Sequence, residues 1–103
     1  MVKNVKITVK KDGTVDCKPS RVNISKKNLE GVCWECSEGE ATIQFVKDSP
    51  FCSDHFVVPE GGSVNSGPAY QGEPGVIYKY SIVVNIPGDR RQYVLDPEVE
   101  VDP

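Results

Sequence analysis

The chain has 103 residues, 38% of them hydrophobic, and a formal net charge of −3. That length suits one domain over residues 1–103 and excludes two, and the acidic balance is the wrong sign for a nucleic-acid surface and too small for a disordered chain. No stretch is long enough to span a bilayer, and Met1-Val2-Lys3-Asn4-Val5 has no apolar signal core, so the expectation is a soluble cytoplasmic monomer without membrane or nucleic-acid partner, a removed leader being the open alternative.

Val5, Ile7 and Val9 alternate with Lys6, Thr8 and Lys10, the period-2 pattern of a half-buried strand, and Lys11-Asp12-Gly13-Thr14 supplies hairpin turn chemistry. A second strand, Val15 to Lys18, meets Pro19, which cannot donate to a ladder and marks an edge, a bend or a change of sheet before Arg21–Ile24. A turn at Ser25–Asn28 follows. Val32, Trp34 and Cys36 share one parity and Cys33 and Glu35 the other, so an extended strand here buries Trp34 and aims Cys33 and Cys36 to opposite sides. Glu38-Gly39-Glu40 is expected to close a hairpin, with Ala41, Ile43 and Phe45 returning on one face.

From about residue 47 to residue 75 the pattern is irregular, rich in glycine and proline, with room for a short strand at His55–Val58 and no regular structure expected over 59–74. Val76 to Asn85 is the clearest strand, with Tyr78, Tyr80, Ile82 and Val84 on one face, and Pro87-Gly88-Asp89 turns the chain into a last strand, Tyr93 to Val101. Seven or eight short strands without an amphipathic helix describe an all-β sandwich, packed over Val32, Trp34, Ile43, Phe45, Tyr80, Ile82 and Val84.

The spacing Cys33-x2-Cys36-x15-Cys52-x2-His55 is the pattern of a tetrahedral zinc site, since short steps let paired thiolates and an imidazole face one ion. Against zinc, the strand parity separates Cys33 from Cys36, and a hairpin over 31–47 sets Cys36 and Cys52 at opposite ends, ~20 Å apart or more at ~3.3 Å per residue. Zinc held by Cys33, Cys36, Cys52 and His55 therefore stands as the alternative to no metal and no cofactor, while disulfide and reduced thiol stay equally open for the cysteines.

Catalysis has little support. Cys36 or Cys52 with His55 as base is the one thiol arrangement available, and Ser53-Asp54-His55 are neighbours in sequence, whereas a triad converges in space. Gly61-Gly62-Ser63 lacks the lysine and helix of a phosphate cradle, and Arg90-Arg91 reads as a hairpin tip. The acids between Asp96 and Asp102 alternate with Val99 and Val101 as the solvated side of a strand.

Pro74-Gly75-Val-Ile-Tyr78-Lys-Tyr80-Ser-Ile82-Val-Val-Asn85-Ile-Pro87-Gly88 resembles the copper-binding end of the cupredoxins, the plastocyanin-like copper proteins. Arg21-Val-Asn-Ile24, Gly31-Val-Cys-Trp34 and Ala41-Thr-Ile-Gln-Phe45 look like that family's second, third and fourth strands, and Asp96-Pro97-Glu-Val99 like its closing strand. The resemblance implies a Greek-key sandwich and, carried over residue by residue, removes the copper. Ile82 stands where the cysteine ligand belongs, Asn85 replaces one histidine, Glu40 and Ala41 stand in place of the other, and no methionine follows Pro87-Gly88. A blue-copper centre needs two imidazoles and a thiolate. With His55 the single histidine, the resemblance implies a non-catalytic binding or structural module for an unknown protein or small-molecule ligand, and no enzyme.

Overall fold

The computed structural model describes residues 2–10, 13–89 and 92–103. Lys11 and Asp12 of the expected first turn, and the Arg90-Arg91 tip, lie outside them. The described residues form ten strands and no helix: β1 (Val2–Val9), β2 (Val15–Lys18), β3 (Arg21–Ser25), β4 (Gly31–Cys36), β5 (Glu40–Phe45), β6 (His55–Val58), β7 (Gly62–Asn65), β8 (Ile77–Asn85), β9 (Gln92–Leu95) and β10 (Glu98–Asp102).

Two mixed sheets result. The first has the order β2-β1-β4-β7, and the second the order β3-β10-β8-β5-β6, with β9 also paired to β8. β1 and β4 run parallel, as do β3 and β10, and the remaining pairs are antiparallel. The chain leaves the first sheet for the second at Pro19, one of the three outcomes expected there, and Lys18–Pro19 is a cis peptide.

Four sequence expectations need correction, the first being the strand count: ten strands are present among the described residues where seven or eight were expected. The turn at Glu38-Gly39 does not close a hairpin: β4 belongs to the first sheet and β5 to the second, so the turn carries the chain across the sandwich. It does so in close contact with β8, because a Cβ on Gly39 would stand 2.4 Å from the Asn85 carbonyl oxygen. Residues 59–74 are not without regular structure, since β7 pairs with β4 through Trp34↔Val64 and its neighbours. Finally, Tyr93–Val101 is two strands. Pro97 has no N–H to continue the ladder, and the chain breaks there so that β9 pairs with Ile82–Asn85 of β8 while β10 pairs with Ile77–Lys79.

The inward parity of the strands fills the space between the sheets. Val5, Ile7, Val32, Trp34, Ile43, Phe45, Tyr80, Ile82 and Val84 are all buried, which includes every residue expected in the core. Trp34 of the first sheet makes edge or tilted contacts with Phe45, Phe56 and Tyr80 of the second and with Phe51 of the β5–β6 loop, at centroid distances of 5.3–6.5 Å. Such geometry adds to area burial by placing ring edges on ring faces. The one polar requirement of this cluster is met internally: Trp34 Nε1 donates to Tyr80 Oη at 3.2 Å. Tyr80→Phe is expected to lower stability by on the order of 1–2 kcal/mol, because the indole N–H loses its acceptor in a site closed to water. Urea unfolding followed by Trp34 fluorescence checks this, and an unchanged midpoint would mean that water replaces the phenol.

Candidate functional site

Three regions bear on function, beginning with the end of the second sheet that carries the positions matched to copper ligands. Glu40 and Asn85 are cross-strand partners at the joined ends of β5 and β8, and Ala41 faces Val84 beside them. Asn85 is exposed. Ile82, three residues deeper, is fully buried between Ile43 and Leu95 of the flanking strands. Beyond Asn85 the turn through Pro87 and Gly88 is exposed and is closed by Asp89 N–H donating to the Ile86 carbonyl. Tyr93 Oη donates to Asp89 Oδ2 at 2.6 Å from the returning strand. This end therefore offers amide, carboxylate and phenol groups.

The cysteines and the histidine are spread over the molecule. On β4, Cys36 points inward and is buried, whereas Cys33 is half-buried on the outer side between its neighbours Asn4 and Asn65. Cys52 is exposed in the β5–β6 loop. His55, exposed at the start of β6, has Nδ1 3.3 Å from Gln44 Oε1. Among the described residues no three His, Cys, Asp or Glu side chains gather as a metal's ligands would. All four thiols are free. Ser53 Oγ donates to the His55 carbonyl and accepts the His55 N–H, so Ser53-Asp54-His55 is a local turn that starts β6.

The remaining cysteine, Cys17, faces inward on β2. Cys17 and Cys36 both flank Ile7, one from each side, with a whole strand between them. Burial pushes the Cys17 thiol up to about 11, with the neighbouring Asp16 charge adding to the shift. Burial also raises Cys36, opposed by the backbone amides of Gly39 and Glu38. A buried thiol held protonated is a poor nucleophile and a poor metal ligand.

The third region is a groove on the outer side of the second sheet. Val46, Lys47, Asp48, Val76, Ile77, Tyr78, Lys79 and Glu98 line a cavity of about 540 Å³. Val46, Ile77 and Val76 are 66%, 42% and 36% exposed, apolar side chains that the core leaves out. Sequence reading missed it, although part of the signal is present: Ile77-Tyr78 opens β8 with two adjacent apolar residues, which alternation sends to opposite faces. A second cavity of about 410 Å³, lined by Asp48, Ser49, Gln71, Glu73, Val76 and Tyr78, shares three wall residues with the first. The two adjoin there.

No protein-family profile, curated protein or solved structure matches this chain. No helix among the described residues is long and apolar enough to cross a membrane.

Proposed function

We propose that this chain is a cupredoxin-like Greek-key domain that binds no copper, carries no electron and serves as a non-catalytic binding or structural module. The observation that carries the reading is the pairing of Glu40 with Asn85 at one sheet end. Two positions far apart in sequence, each aligned by the resemblance with a histidine ligand, are side by side, and neither has a side chain that ligates copper as imidazole does. The third position, Ile82, is an aliphatic core residue. The chain path is compatible with this reading: it changes sheet five times, between β2 and β3 at Pro19, between β3 and β4, between β4 and β5 at Gly39, between β6 and β7, and between β7 and β8.

The module reading accounts for the two buried thiols as well. Cys17 and Cys36 serve as small apolar side chains, a common role of buried cysteine, and the aromatic cluster around Trp34 supplies rigidity to the surfaces outside it.

Titration with Cu(II) tests the proposal. The protein is expected to stay without the intense thiolate charge-transfer band in the visible red, since that band needs one thiolate and two imidazoles on one ion. Appearance of the band at one equivalent would overturn it.

A further inference from the structure

We infer that two copies of this chain associate face to face through the outer side of the second sheet, in place of the monomer expected from the sequence. The inference goes beyond the module reading and is independent of it, because it rests on strand register alone.

The outer sides of the two sheets differ. The first sheet turns Lys6, Thr8, Asp16, Lys18, Glu35 and Ser63 outward. On the second, Thr42 pairs with Val57 of β6 and with Val83 of β8, and Val83 pairs in turn with Val94 of β9. This register sets four side chains in one line across four strands, ~4.8 Å apart and roughly 14 Å from end to end. All four have the parity opposite to the core: Val57 and Val94 are 42% and 57% exposed, and Thr42 and Val83 are half-buried between them. The line holds no charge. Beside it lie Gln44 and Ser81, with His55 next to Gln44, and on its other side Glu40 and Asn85, with Gln92 next to Asn85. The patch ends at the row of Val46 and Lys79, where Val46 N–H donates to the Lys79 carbonyl and a lysine enters the face.

The pattern is the same from either end, and a second copy is therefore its complement. About the boundary between β5 and β8, Val57 answers Val94, Thr42 answers Val83, Gln44 answers Ser81 and Glu40 answers Asn85. A twofold axis along that boundary, in the plane between two copies, keeps every row at its own height and lays β5 over the β8 of the other copy and β6 over its β9. Apolar or methyl-bearing side chains then meet their own kind, and the Glu40 carboxylate meets an Asn85 amide instead of another charge. Self-complementarity of this sort is the condition for an isologous dimer, and strands kept roughly aligned are one of the two ordinary ways for sheets to pack.

Sedimentation equilibrium of the full chain tests the proposal. The mass is expected to rise toward that of two chains as the concentration goes from about 10 μM to about 1 mM. Val57→Lys is expected to weaken association by about tenfold or more. Val57→Lys with Val94→Lys is expected to weaken it further, because the axis brings these two positions together across the interface, and Val57→Lys with Val94→Glu to associate at least about tenfold more tightly than that first double variant. Within one chain the two positions are too far apart for the swap to act, since exposed charges are screened beyond ~8 Å at physiological salt. Lys18→Glu, on the outer side of the first sheet, is expected to leave association unchanged. Circular dichroism of each variant reports that it is folded. A chain that stays monomeric at millimolar concentration would overturn the proposal, as would equal association of the two double variants or loss of association in Lys18→Glu. The copper titration is independent of each of these outcomes.

Discussion

Trp34→Ala is expected to lower the stability of the fold by about 3–5 kcal/mol, a large share of the ~5–15 kcal/mol that holds a domain of this size together. Trp34 extends from β4 in the first sheet and meets Phe45, Phe56 and Tyr80 from three strands of the second, with Phe51 closing over it from the loop. Truncation therefore opens a cavity between the sheets that no single strand can collapse into, and the cost of such a change rises with the cavity that remains. Tyr80 Oη loses its indole donor in the same step. The variant has no other tryptophan, so the measurement is urea unfolding followed by circular dichroism. A midpoint close to that of the parent chain would show that the sheets repack around the gap, and the account of Trp34 as their joint would be wrong.

Much of this interior was legible from period-2 alternation alone. Val32-x-Trp34, Ile43-x-Phe45 and Tyr80-x-Ile82-x-Val84 could bury their apolar residues in only one way as strands, and they do. The opposite orientation of Cys33 and Cys36 follows from the same parity. What alternation cannot encode is which strand lies beside which. Glu38-Gly39-Glu40 has the composition of a hairpin turn, and the difference between a hairpin and a crossing between sheets is settled by long-range pairing of β4 with β1 and β7 and of β5 with β8.

β7 was hidden for a related reason. Gly62, Ser63 and Asn65 are weak strand formers, and the segment is extended because β4 offers it an edge and because Ser66 joins its end to Val32 through both its N–H and its hydroxyl. The groove was hidden because it joins the segment just after β5 to the start of β8, which alternation does not place side by side, although it does turn Ile77 away from the inward side of Tyr78.

Raising the pH is expected to destabilise the fold from about pH 9 upward, and Cys17 to be a principal cause. In the unfolded chain this thiol loses its proton near 9, its ordinary value, whereas in the fold burial holds the proton until about 11. Between those values the folded state binds more protons than the unfolded state, so the stability of the fold falls as the pH rises. Below pH 9 both states are protonated and the group has no effect. At ~1.4 kcal/mol per unit of pKa difference, the loss attributable to Cys17 by pH 11 is about 2 kcal/mol. Cys36 is shifted in the same direction by burial, and Tyr80 adds to the loss at higher pH, its phenol raised by burial against the opposing hydrogen bond from Trp34.

Urea midpoints for the parent chain and Cys17→Ala between pH 7 and 11 separate these contributions. Alanine removes the titrating group from the row Cys17–Ile7–Cys36 while leaving the strand pairing that Ile7 makes to either side. The variant is expected to start less stable at pH 7, through its small cavity, and to lose less between pH 9 and 11, so that the two curves approach. Parallel curves would place the alkaline transition elsewhere and would remove Cys17 from the buried row. Convergence would establish that a thiol placed by strand parity alone is held protonated by the sandwich built around it.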